Sequence, residues 1–136
     1  VNADILPHYE CVFWMREKPY YKAHLHFIIT YPEDADGWAL VVGTTTKTRG
    51  AIGSFVLHPG DHPALKDDSF LSYASLQLAN MEKLARSYRE IPKLVWSERK
   101  ASAVLIVQIQ QVLIDSNMLE SRYVELIAVA RQRFAG

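Results

Sequence analysis

The chain has 136 residues, 49% of them hydrophobic and 22% charged. That is the size and make-up of one globular domain with one core, and it excludes a disordered or fibrous class. Fifteen basic and fifteen acidic side chains cancel, which also excludes a protein that coats nucleic acid through a strong positive field.

The single cysteine, Cys11, leaves no internal disulfide and no cysteine-based zinc site, and no apolar run reaches the length of a bilayer-spanning helix. Residues 1–10 carry Asp4, Pro7 and Glu10 and lack the order of a signal peptide, so a cytoplasmic location is the default expectation. Cys11-Val-Phe-Trp-Met15 reads as a first strand, with Cys11 a small hydrophobe in it, and Lys18-Pro19 ends it. His24-Leu-His-Phe-Ile-Ile-Thr30 reads as a second strand. On it His24 and His26 share a face, with backbones about 6–7 Å apart.

Asp36-Gly37 closes a polar break from Tyr31 and is a hairpin signal, so strands over about 24–30 and 38–44 are expected to pair antiparallel. Trp38-Ala-Leu-Val-Val42 runs into Gly43-Thr-Thr-Thr-Lys-Thr-Arg-Gly50. This run lacks a Walker pattern and is either a polar hairpin loop or a set of hydroxyl and cationic donors for a phosphate. Ser54-Phe-Val-Leu57 reads as a further strand.

A rigid turn follows, His58-Pro-Gly-Asp-His-Pro63. Pro59 fixes its own φ, Gly60 permits the positive φ that a tight turn often needs, and Pro63 pushes His62 towards extended backbone. His58, Asp61 and His62 are thus aimed by the main chain. Ser69–Leu76 fits either a strand or a helix start.

The remainder is helical. Asn80 caps a short helix through Arg89, stopped before Pro92; Ser97 caps a second, running to about Asp115 with a wide apolar face. A last helix carries one stripe, Leu119, Tyr123, Leu126, Ile127, Ala130 and Phe134. The whole reads as one α+β domain over 1–136, a small curled antiparallel sheet over about 10–78 with helices over about 80–134.

Histidines 24, 26, 58 and 62 together with Asp61 would make a metal or acid–base cluster if their segments met. No compact ligand motif such as His-Glu-x-x-His is present, so neither a metal nor a cofactor is expected. Tyr20, Tyr21, Tyr31 and Trp38 are core residues or, alternatively, platforms for unpaired bases.

The order of these features resembles a group of small bacterial proteins similar to the PemK/MazF toxins. The likeness rests on the His24-Leu25 strand ending Thr30-Tyr31-Pro32, the Trp38-Ala-Leu-Val-Val-Gly-Thr-Thr45 strand and the Pro59-Gly-Asp-His-Pro63 element followed by Ser69 and Tyr73. Gln108-Ile109 through Asp115-Ser116 extends it into the helical part.

The resemblance implies a strongly curved SH3-like β-barrel with appended helices, a homodimer, an antitoxin partner and metal-independent cleavage of single-stranded RNA. In that chemistry a base takes the 2′-OH proton, an acid protonates the leaving oxygen and cations stabilise the phosphorane. Carried over by position, His24 stands nearest the toxins' strand-two arginine, and Thr44 and Thr45 match their strand-three hydroxyl. His24 and His62 are then the candidate acid and base, and Thr44, Thr45 and Arg49 would position the phosphate. The alternative is a diverged, non-catalytic barrel that binds a protein partner or nucleic acid, with Pro59–Ser69 as a structural brace.

Overall fold

Asp36 and Gly37 both take positive φ, 52° and 92°, and this reversal sets strand β3 against strand β2. Asp and Gly tolerate that region because a short polar side chain, or none, avoids the Cβ clash. The computed structural model describes residues 12–17, 22–63, 65–84, 94–96 and 101–135. Among these the strands are β1 (Val12–Glu17), β2 (Lys22–Ile28), β3 (Trp38–Thr45), β4 (Phe70–Leu71), β5 (Gln77–Asn80) and β6 (Leu94–Trp96). Two helices follow, α1 (Ala103–Asp115) and α2 (Ser121–Ala135).

The sheet is antiparallel in the order β4-β3-β2-β1-β6, and β5 shares the outer edge of β3 with β4. β5 pairs along Trp38–Val41, while β4 takes Thr44 and Thr45. The expected architecture is therefore met at the level of an α+β domain, with the sheet followed by C-terminal helices. The strongly curved barrel is not met: the sheet is open, and its two ends, β6 and the β4/β5 edge, do not pair among the described residues.

Alternation along the strands sends residues to two faces. Leu25, Phe27 and Ile29 of the β2 segment and Leu40 and Val42 of β3 meet Leu105, Ile106, Ile109 and Leu113 of α1, and Ile127 and Ala130 of α2. Ile52, Leu57, Leu65 and Leu71, from the long connection before and through β4, close this core from the side. Each fully buried aliphatic or aromatic side chain stabilises by about 1.5–3 kcal/mol, so this face carries most of the fold.

The opposite face is smaller. Ile28, Ala39 and Val41 meet Met81 and Leu84, from a helical turn at 81–84.

Local signals explain the helix ends. Asn80 accepts a hydrogen bond from the Lys83 backbone N–H at 3.0 Å, as its N-cap reading predicts, while residues 85–90 of that predicted helix lie outside the described residues. For α1 the cap is Ser102, whose Oγ accepts from Leu105 N–H at 3.1 Å, and not Ser97. The apolar period begins at 103, and a cap serves the N–H two or three residues on, so Ser102 is the serine in register. Asn117 ends α1 in left-handed backbone, φ 57°.

α1 is also latched to the sheet by a polar contact. Buried Gln110 donates from Nε2 to the Ile29 carbonyl at 2.8 Å, satisfying an acceptor where the ladder between β2 and β3 gives out.

Three further expectations change. The segment read as a strand at 54–57 makes only an isolated bridge, Leu57 to Ser69, because Gly53 turns the chain at φ 63° just before it. Ser69–Leu76 divides into the short β4 and a 3-10 turn, Tyr73–Ser75. Gly60 is absent from the positive-φ glycines, since Pro59–Asp61 is itself a turn of 3-10 helix. Among the described residues no helix is long and apolar enough to cross a membrane.

Candidate functional site

The two histidines of β2 differ in their surroundings. His26 has no exposed surface, and its Nδ1 donates to the His24 carbonyl at 2.8 Å. Its ring lies over β3 at the one residue there without a side chain. A Cβ on Gly43 would stand 2.7 Å from both His26 Nε2 and Ser75 Oγ, closer than atoms are allowed. Ser75 Oγ in turn accepts from Gly43 N–H at 2.8 Å and donates to the Ser72 carbonyl at 3.0 Å. Gly43 within an apolar run is thus a close-approach glycine, a meaning that a glycine inside a strand pattern carries in sequence. Ser75 has no comparable signal.

His24 is half-buried at the corner where β2 begins and β3 ends. Its Nδ1 lies 3.0 Å from the Thr44 carbonyl. A carbonyl only accepts, so the proton sits on Nδ1 and the neutral ring keeps its basic lone pair on Nε2. An imidazole oriented in this way is the arrangement general-base catalysis requires.

The expected phosphate-binding residues divide. Thr44 is only 7% exposed and points into the fold, its hydroxyl donating to the Leu25 carbonyl at 3.1 Å. That hydroxyl is engaged in the sheet and is not presented to a ligand. Thr45 is half-buried and its hydroxyl accepts from Lys47 N–H at 3.1 Å, shaping the turn. Thr46, Lys47, Thr48 and Arg49 are exposed. Among the described residues neither Lys47 nor Arg49 forms an ion pair. One oriented imidazole is thus bonded to the end of β3, and the turn that follows carries two exposed cations and two exposed threonines.

His62 goes elsewhere. Extended at φ −156° and ψ 140°, as a residue before proline should be, it is 2% exposed and sets its ring edge-on to Phe27, with centroids 6.3 Å apart. Phe27 belongs to the large core, whereas strand alternation puts His24 with His26 on the other face. The structure does not bring His24 and His62 together as an acid–base pair.

The rest of the Pro-Gly loop is a brace. Asp61 accepts from His58 N–H at 2.7 Å, and His58 Nδ1 donates to Asp68 Oδ1 at 2.9 Å across the loop. Leu57 and Ser69 exchange two backbone hydrogen bonds, 2.7 and 2.8 Å, at the loop's base. The hydrogen bond to Asp68 holds the His58 imidazole above its ordinary value, and the charges of Asp68 and Asp61 act the same way. Among the described residues no group of three or more His, Cys, Asp or Glu side chains is placed to hold a metal ion.

Comparison with protein-family models, with curated proteins and with solved structures finds no significant match to this chain.

Proposed function

We propose that this chain engages single-stranded RNA at the corner formed by His24 and the Thr45–Arg49 turn, as a toxin-like endoribonuclease whose one oriented base is His24. The observation that carries this reading is the Nδ1–H bond from His24 to the Thr44 carbonyl. It leaves Nε2 as the basic nitrogen of a half-buried ring, at the end of the strand that runs on into exposed Lys47 and Arg49.

In the reaction His24 takes the 2′-OH proton, and the freed oxygen attacks the adjacent phosphorus. The 5′ oxygen leaves and takes its proton from water or from the His24 imidazolium. Lys47 and Arg49 offset the charge that gathers on the phosphorane oxygens. The products are a 2′,3′-cyclic phosphate and a 5′-hydroxyl. The antitoxin partner and the homodimer belong to the same reading and rest on the family resemblance; closure of the sheet into a barrel forms no part of it.

Purified protein incubated with a single-stranded RNA tests the proposal. Fragments ending in a cyclic phosphate are expected from the wild type, and their loss is expected in His24→Ala. An absence of cleavage above a no-protein control overturns the catalytic reading.

A second reading is favoured by the burial of His62 against Phe27, which withholds the expected partner for His24. In that reading the corner binds RNA without turning it over. Binding that weakens when Lys47 and Arg49 are both changed to Gln, with intact RNA recovered, would establish it.

A further inference from the structure

The end of the sheet at which His24 lies carries a row of three side chains on one face. The β3–β4 register sets Phe70 opposite Thr45 and Leu71 opposite Thr44. Leu71 belongs to the large core, as do Leu40 and Val42 of β3, so alternation puts Phe70 and Thr45 on the other face, that of His26 and Gly43. On β2, His26 stands opposite Gly43, which brings His24 level with Thr45 two residues on, and its bond to the Thr44 carbonyl holds it at that end. His24, Thr45 and Phe70 thus stand side by side on three neighbouring strands, all half-buried. By strand spacing, about 10 Å separates the backbones of His24 and Phe70.

Phe70 has no place in the interior. Tyr31, Phe55 and Tyr123, half-buried like it, pack against the large core, whereas among the described residues Phe70 packs against neither core. Strand β4 has two residues, and it buries Leu71 completely while leaving the phenyl ring of Phe70 at the rim.

Thr45 lies between the two rings. Its hydroxyl accepts from Lys47 N–H, and among the described residues it gives its own proton to no acceptor. The turn beyond it carries exposed Lys47 and Arg49. Of the acidic residues leading into β4, Asp68 is tied to His58, and Asp67 follows the opposite charge of Lys66. A basic nitrogen, a hydroxyl donor and a flat hydrocarbon in one row match the ribose hydroxyl, the sugar and the base of a single nucleotide.

Resting on the reading of this corner as an RNA site, we infer that Phe70 is the platform on which a base stacks, the base of the nucleotide whose 2′-OH faces His24. Thr45 donates to a sugar oxygen between them. A phenyl ring offers stacking area and no hydrogen bonds, so the platform accepts any unpaired base. It rejects a duplex, whose bases are already stacked on one another and paired.

The test uses a 2′-fluoro strand of five units, which the 2′-OH chemistry cannot cut, with 2-aminopurine as its central base and the other four units abasic. A second strand is abasic throughout. Saturable quenching of the aminopurine emission is expected with the wild-type chain. Phe70→Leu is expected to weaken that strand about tenfold, with Phe70→Trp restoring it, while the wholly abasic strand, measured by competition, binds wild type and Phe70→Leu alike. Lys47→Gln with Arg49→Gln is expected to weaken both strands.

Equal affinity of wild type and Phe70→Leu for the aminopurine strand overturns the platform alone, and so does an equal loss with both strands, which marks a merely structural ring. Nuclear Overhauser contacts between the Phe70 ring and the aminopurine in the wild-type complex provide the answer should Phe70→Leu not fold, and their absence overturns the inference. No saturable binding of either strand by the wild type removes the RNA reading itself, and the platform with it.

Discussion

The chain carries two close pairs of histidines, His24 with His26 on β2 and His58 with His62 in the Pro-Gly loop, and each pair is split in the same way. One member is buried, His26 at 0% and His62 at 2% exposure, and the other reaches solvent. The solvent-reaching members are held by different partners. His24 donates to a backbone carbonyl, while His58 donates to the carboxylate of Asp68. A carbonyl orients an imidazole without adding a charge. A carboxylate favours the imidazolium and ties the ring into an ion pair that closes a loop. The contrast separates the site proposed for chemistry from one that holds shape.

The largest effect on stability should come from the buried member of the loop pair. His62→Ala removes a ring packed on Phe27 and is expected to destabilise by about 2–4 kcal/mol, read as a lower midpoint in urea, with RNA affinity at the His24 corner unchanged. Next is Gly43→Ala, which drives a methyl group against His26 and Ser75. A loss of about 1–3 kcal/mol is expected, and an unchanged melting temperature would show that His26 does not lie over β3 as described.

Asp61→Ala removes the acceptor for His58 N–H and should cost about 1 kcal/mol, measurable by thermal unfolding.

His58 gives a pH signature. Its folded pKa is raised above 6.5, so its contribution is fully present below that value and is lost as pH rises through the folded pKa. The difference in melting temperature between wild type and Asp68→Asn should therefore be greater at about pH 6 than at about pH 8.5, where it should nearly vanish. A difference that grows with pH would contradict the latch. The smallest change is Gly60→Ala. With negative φ and no atom within 4 Å of its virtual Cβ, this site should be neutral or gain about 0.4–1 kcal/mol.

Much of this could be read from the residues. Asp36-Gly37 announced the β2–β3 hairpin, the apolar stripes announced both C-terminal helices, and Pro63 announced the extended backbone of His62. The limits have physical causes. Local patterning does not say whether an edge strand closes onto the other end of a sheet, because closure depends on contacts between distant segments, and here the sheet stays open.

Nor does a histidine's presence in a polar motif reveal its burial. His62 sits among aspartates and prolines yet turns inward, and nothing short of the Phe27 contact shows it. Thr44 and Thr45 are neighbours of one type, and strand alternation alone sends the first inward and the second to the rim.

The central claim is that His24 does chemistry while His62 holds the fold. Single-turnover cleavage of one RNA by wild type, His24→Ala and His62→Ala, each adjusted for the fraction folded, tests it most directly. The account predicts that His24→Ala abolishes cyclic-phosphate formation and that folded His62→Ala retains the wild-type rate. Equal losses in the two variants, or activity that survives without His24, would contradict it.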